Sequence, residues 1–423
     1  MLLAADPSRP AGLADPNGQG FGQRLVYWIA ASWGACAFFP VGLMYLHFLL
    51  MLLALALSGD IRVRLRRVRA SAVFWPLVAV VGWTLVVVAV GPWFEDTPSR
   101  VFHVARVALV LAVGVMLSTV EARAALWGFV MGAAFAALVV AAHHAWGLPD
   151  WRIWSSLLVS RNNFSSGNMI SMAAASGICL VVAISSPFAA RVRWLVLALA
   201  LCLAFTVAMH SVSRNALVLL PILLIAAVVW RFRSMRATLA GITALVVLVA
   251  IVWQLSPNVQ VRFSGIWTNY QDMKTSSNYS TSVGARWRMY QETIEGMVEH
   301  PFFGTGLGSW LPRWRTVWSG LHQNMSPELE YKNSEINNPH NDFLLAGMET
   351  GVVGMLVLVW LIVAFVRVGW QTRSMVGGAT VVMGVTVFVT SLLNAPFRDA
   401  ALGMTLLWLL GASVAAQRAP SDE

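Results

Sequence analysis

The stretch Asn337-Asn338-Pro339-His340-Asn341-Asp342-Phe343 places an imidazole where proton transfer is chemically reasonable. Pro339 stops whatever precedes it, Asn341 or Asp342 can cap a new helix, and the following residues turn apolar. His340 is therefore expected among polar residues at a helix start, where a neutral imidazole can act as a base near pH 7. A lone histidine is more often structural. That ordinary reading suits His47, His103, His143, His144 and His210, which lie in or at the ends of apolar segments.

Arginines supply the positive charge that a bound anion would need. Arg214, in His210-Ser211-Val212-Ser213-Arg214-Asn215, falls at a turn between two apolar segments. An arginine at membrane depth faces a cavity or a partner, the bland alternative being a side chain that snorkels to the interface. Arg286 and Arg288 open an amphipathic stretch, and the planar guanidinium fork suits phosphate. Arginines arriving from two directions would form a diphosphate clamp, although a solvated helix face accounts equally well for one of Arg286 and Arg288. Arg152 and Arg161, near Asn162-Asn163-Phe164, are further candidates to line the site. Asn338, Asn341 and Asp342 are expected to support His340.

These residues need elements to position them. The chain has 423 residues, 58% hydrophobic and 11% charged, with a mean hydropathy of +0.69. A soluble domain carries about 25% charged residues, so the expected fold class is an all-α polytopic membrane protein. Residues 1–22 read as a cytoplasmic tail without the apolar core of a signal peptide. Residues 23–254 read as nine transmembrane helices, 255–340 as a long loop, 341–416 as three more helices, and 417–423 as a tail. The expected total is about twelve spans, with residues 25–58 divided at Pro40.

Charge sets the orientation. The net charge of +10 could suggest nucleic acid, but 27 of the 29 basic residues are arginines, and in a multispan protein positive charge collects on cytoplasmic loops. Arg62, Arg64, Arg66, Arg67 and Arg69 mark one such loop as cytoplasmic. Arg191/Arg193, Arg231/Arg233/Arg236 and Arg367/Arg373 fall on the same side, and the 255–340 loop falls opposite, toward a periplasm. Nucleic acid is not an expected partner; the bilayer is.

Within the long loop, 254–282 is rich in Asn, Ser, Thr and Tyr. Arg286–Glu299 then places Trp287, Tyr290, Ile294 and Met297 on one helical stripe, suited to lying on the membrane or the bundle. Pro301 ends that helix. Trp310, Trp314 and Trp318 are expected at the interface. The glycine-rich Phe303–Gly308 follows no strand, so it is not a phosphate loop. No Asp-x-Asp pair occurs in an outward segment, and no His-Glu-x-x-His or cysteine cluster is present. No metal and no cofactor are expected. Cys36, Cys179 and Cys202 lie in apolar segments and suggest no disulfide framework.

Taken in order, three groups of residues resemble the O-antigen ligase and polymerase superfamily of bacterial envelope glycosyltransferases. They are Ser213-Arg214; Ser282-x-x-x-Arg286-x-x-Met289-Tyr290 leading into His300-Pro301-Phe302-Phe303-Gly304-x-Gly306; and Pro339-His340-Asn341-Asp342-Phe343 continuing to Glu349-Thr350-Gly351-x-x-Gly354. The family often has Trp at the position of Tyr290 and Gly at that of Asn215. The resemblance implies a GT-C-like fold and transfer of a glycan from undecaprenyl diphosphate, without a metal and with inversion, on the periplasmic face of the inner membrane. For a ligase the acceptor would be a sugar hydroxyl of lipid A–core. Arg214 and Arg286, with Arg288 as the alternative, would hold the diphosphate, and His340 would take the acceptor proton. An O-antigen polymerase is the main rival. A protein O-oligosaccharyltransferase is disfavoured by the short C-terminus, and a lipid-linked glycan transporter by the absence of internal repeats.

Overall fold

In the computed structural model, the described residues are 20–149, 151, 153, 157–160, 163–185, 188–211, 213–321 and 326–418. Arg152 and Arg161 lie outside them. In lipid, backbone polar groups must be satisfied within the segment, and the apolar runs accordingly fold as helices. The chain begins with α1 (Phe21–Cys36), α2 (Val41–Leu57), α3 (Ile61–Ala70), α4 (Phe74–Val90), α5 (Thr97–Met116) and α6 (Thr119–Trp146). A short antiparallel pair, β1 (Leu158–Ser160) and β2 (Asn163–Phe164), precedes α7 (Ser166–Ser185), α8 (Ala190–His210), α9 (Arg214–Phe232) and α10 (Met235–Leu255). The polar segment holds α11 (Pro257–Ser276), α12 (Ser282–Glu299), α13 (Trp310–Gly320) and α14 (Pro327–Ser334). The chain closes with α15 (Asp342–Gln371), α16 (Met375–Leu393) and α17 (Ala400–Ala415).

The twelve expected segments correspond to α1, α2, α4 to α10 and α15 to α17. Among the described residues, eight helices are long and apolar enough to cross a membrane, or nine if α2 and α3, bent by 111°, form one span. Of the twelve, α1, α2, α4 and α17 have only 16 or 17 residues each and fall outside the eight. The five-arginine stretch is the helix α3 rather than a loop. Its Arg64 is buried and bidentate to Glu121 at 2.7 and 2.8 Å.

Small residues let helices approach closely, as membrane interfaces favour. A Cβ on Gly34 would lie 2.1 Å from the Ala125 carbonyl, and one on Gly128 only 1.9 Å from that of Ala31, so α1 and α6 touch backbone to backbone.

The polar segment is more ordered than its composition suggests. The Ser256 hydroxyl accepts the Val259 N–H and Pro257 occupies the first turn, a regular helix start for α11. On α12 the expected apolar stripe is split, with Trp287 and Ile294 about half exposed (49% and 45%) but Tyr290 and Met297 half-buried. Its buried face is Gly284, Met289, Glu292, Thr293 and Gly296, which lies on α15. The three tryptophans of α13 are not interfacial. Spaced at i, i+4 and i+8, they form one face that is fully buried with Met289, Leu345 and Met348.

α15 is broken at Gly351 (φ 74°, ψ 176°). The turn after α12 fills the break: Thr305 N–H donates to the Met348 carbonyl at 2.7 Å, and Val352 N–H donates to the Pro301 carbonyl at 2.8 Å. The Trp83 indole donates to the Thr350 carbonyl at 2.8 Å. A Cβ on Gly351 would fall 2.0 Å from the Phe302 carbonyl. Two glycine motifs far apart in sequence therefore make one joint, and it anchors the outer segment of α15 on which His340 depends.

Candidate active site

Three chain segments meet at the Leu393–Asn394 end of α16. From α9, capped by Ser213, comes Arg214, whose Nε donates to the Arg262 carbonyl at 3.0 Å and whose Nη1 donates to Ser282 at 3.4 Å. The neighbouring Asn215 amide donates to the Leu393 carbonyl at 3.1 Å. From α12, capped by Thr281, Arg286 donates to that same carbonyl at 3.3 Å. From the loop before α15, His340 Nδ1 lies 3.3 Å from Asn394 Oδ1. Among the described residues neither Arg214 nor Arg286 forms an ion pair with a carboxylate, and each acts electrostatically on the other.

The loop holding His340 is pinned on every side. His340 has φ +55°, a left-handed conformation that a side chain with a Cβ adopts at a cost of about 1 kcal/mol or more. Its N–H donates to Asn338 Oδ1 at 2.9 Å, closing an Asx turn around the buried Pro339. Asn341 is the helix cap, accepting the Leu344 N–H at 3.0 Å, and the Tyr290 side chain lies near it. Asp342 is buried and accepts the Phe397 N–H at 3.1 Å. Behind the loop, Arg100 donates to the Asn337 carbonyl at 2.8 Å and Arg398 to its Oδ1 at 3.3 Å. Those two arginines are held by Glu349 and Asp96: Arg100–Glu349 is 2.9 Å and Arg398–Asp96 is 2.8 Å.

Burial, and then the nearby Arg286 charge, push the His340 pKa below its ordinary value, while the Asn394 hydrogen bond partly opposes the shift. An imidazole so placed is neutral near pH 7 and can accept a proton. Burial also raises the Tyr290 hydroxyl, against the Arg286 charge.

Arg288 takes another course. Two residues further along α12, it pairs with Glu292 at 3.1 Å and approaches Glu295 at 3.9 Å. Arg313 reaches the same Glu292 and pairs with Glu299 at 2.5 Å. The structure thus brings Arg214, Arg286, His340, Asn338 and Asn341 together. Asp342 anchors the loop from beneath, and Arg288 sits in a carboxylate lattice.

A cavity of about 120 Å³ lies behind the loop, between α4, α5 and α15. Its walls are mostly apolar, with Arg100, Asp342, Glu349 and Arg398 among them, and none of Arg214, Arg286 or His340 lines it. No group of three or more His, Cys, Asp or Glu side chains among the described residues is placed to hold a metal ion.

Residues 199–359 match the family model described as O-antigen ligase. The match supports an O-antigen ligase-family protein, as the ordered motifs suggested. A search of curated proteins found no match. The matched segment runs from within α8 through the break in α15, so it contains Arg214, Arg286 and His340. It does not contain Asn394, Arg100 or Arg398, which complete the geometry from outside. Asn394 and Arg262 escaped the reading of the sequence. The only local signal for Asn394 is a helix end two residues before Pro396; for Arg262 it is the unread start of α11.

Proposed function

We propose that this chain transfers an O-antigen glycan from undecaprenyl diphosphate to a sugar hydroxyl of lipid A–core on the periplasmic face of the inner membrane. The observation that carries the reading is the convergence of a histidine held neutral near pH 7 with two guanidinium groups that, among the described residues, pair with no carboxylate. Arg214 and Arg286 hold the diphosphate, and His340 removes the proton from the acceptor hydroxyl. The acceptor oxygen forms a bond to the anomeric carbon from the face opposite the leaving group. The bond from that carbon to the phosphate oxygen breaks, and its electron pair leaves on undecaprenyl diphosphate. The two arginines stabilise that departing charge, the configuration inverts, and no metal enters the step. Arg288 is assigned to the support of α12 rather than to the clamp.

The test is complementation of a strain lacking the gene, with wild type or His340→Ala at matched protein levels. Lipopolysaccharide is resolved on a gel and the undecaprenyl-linked pool extracted. The expected result for His340→Ala is loss of the ladder on lipid A–core with long polymer retained on undecaprenyl diphosphate. Core bearing a single repeat unit would assign the chain as an O-antigen polymerase instead. An unchanged ladder would remove His340 from the chemistry.

A further inference from the structure

We infer that Asn394 is a positioning residue that selects the tautomer of His340, an assignment that rests on His340 being the base. An amide oxygen can only accept, so the contact from His340 Nδ1 to Asn394 Oδ1 at 3.3 Å places the proton on Nδ1. The lone pair is then left on Nε2. A histidine's tautomer is set by the hydrogen bond its other nitrogen makes, and among the described residues no other acceptor is bonded to the His340 ring. The ring needs this support because its backbone sits at φ +55° in an Asx turn, which directs the side chain but leaves its rotation about χ2 undetermined.

The same corner also sets the clamp. Leu393, one residue earlier, offers its carbonyl to Arg286 at 3.3 Å and to Asn215 at 3.1 Å. Asn394 itself is fixed because its N–H donates to the Thr390 carbonyl at 2.7 Å and its backbone is extended (φ −155°, ψ −166°). The end of α16 therefore registers the base against the diphosphate site through two adjacent residues, one by its side chain and one by its backbone. A substitution at the Asn394 side chain leaves the Leu393 carbonyl, and with it the clamp, in place.

The experiment compares wild type, Asn394→Ala, Asn394→Asp and His340→Ala as purified full-length protein, with a lipid-linked glycan donor and a lipid A–core acceptor. Asn394→Ala is expected to lower kcat about 10–100-fold, the range seen when an imidazole loses its orienting partner at metal sites, with KM for the donor unchanged. Asn394→Asp keeps an acceptor for Nδ1–H and so retains activity, but its carboxylate moves the acid limb of the pH profile up by about one unit or more. In protein labelled with 15N in the histidine ring, the His340 signal, identified by its loss in His340→Ala, should show Nδ1 protonated in wild type and a mixture of tautomers in Asn394→Ala.

An unchanged kcat and tautomer in Asn394→Ala would overturn the assignment while leaving His340 as the base. A rise in KM alone would also overturn it, making Asn394 a substrate contact. Full activity in His340→Ala would defeat the underlying reading instead, and the tautomer measurement would still decide whether Asn394 orients the ring. Retained activity in Asn394→Asp shows that the fold tolerates change at this position.

Discussion

The two arginines that open α12 are two residues apart and have opposite surroundings. Arg286 is held by a backbone carbonyl and lies near two other guanidinium-bearing or imidazole side chains, Arg214 and His340. Arg288 belongs to a lattice in which Glu292, Glu295, Glu299 and Arg313 neutralise one another. There the Arg313 hydrogen bonds hold the Glu299 carboxyl below the usual range. A carbonyl orients a guanidinium without cancelling its charge, whereas a carboxylate does both. The face of α12 that retains net positive charge is the one facing the imidazole, and it is the one we propose holds the diphosphate.

The sharpest way to break this comparison is to remove each arginine in turn. Arg286→Ala should lower transfer by about 10²–10³-fold, the cost of deleting a group that stabilises charge in a transition state. Arg286→Lys should recover only part of that loss, because an ammonium cannot reproduce the planar fork. The readout is initial rate in a reconstituted assay with lipid-linked donor. If Arg286→Ala were near wild type, the clamp would have to be built from other residues and the contrast between the two faces would lose its functional meaning.

Some of this was legible before any coordinates. Pro339 followed by three polar residues and an apolar run marks a helix start, and the start is there with Asn341 as its cap. Hydropathy located the apolar helices, of which eight or nine among the described residues are long enough to cross a membrane. What escaped depends on partners distant in sequence. Asn394 lies 54 residues from His340, and nothing local to either residue announces the contact. The left-handed backbone of His340 has no sequence signature in a residue with a Cβ. The tryptophans of α13 were misread because an aromatic stripe beside membrane spans suits an interface as well as a small core; only the packing of Met289 and Met348 decides between them. α11 was obscured by its Asn and Ser content, although Ser256-Pro257 is a start signal that could have been used.

The pH dependence sharpens the same contrast through a smaller effect. A general base must be deprotonated, and the His340 pKa lies below its ordinary value. Activity should therefore be flat through neutral pH and fall about tenfold per unit below that pKa. Removing the Arg286 cation removes a cause of the depression, so the residual activity of Arg286→Ala should show an acid limb moved to higher pH. Arg288 is not among the groups acting on His340, and Arg288→Ala should leave the limb in place. A common shift in both variants would mean that long-range charge, not the near contact, sets the imidazole.

The smallest expected effect completes the argument. Arg288→Ala removes one partner of the buried Glu292, but Arg313 remains bonded to that carboxylate. Arg288 is itself about a quarter exposed (25%), and losing an ion pair whose carboxylate keeps a second arginine should cost about 1 kcal/mol or less. Transfer activity should stay close to wild type, with a small fall in the detergent melting temperature. Double substitution of Arg288 and Arg313 is the stringent form, because it strands Glu292 against the buried face of α12. The melting temperature should then drop well beyond the sum of the single changes, which is the signature of a shared ionic partner. If Arg288→Ala alone abolished transfer while the melting temperature held, the carboxylate lattice would be part of the substrate site. The division between the two faces of α12 would then have to be redrawn.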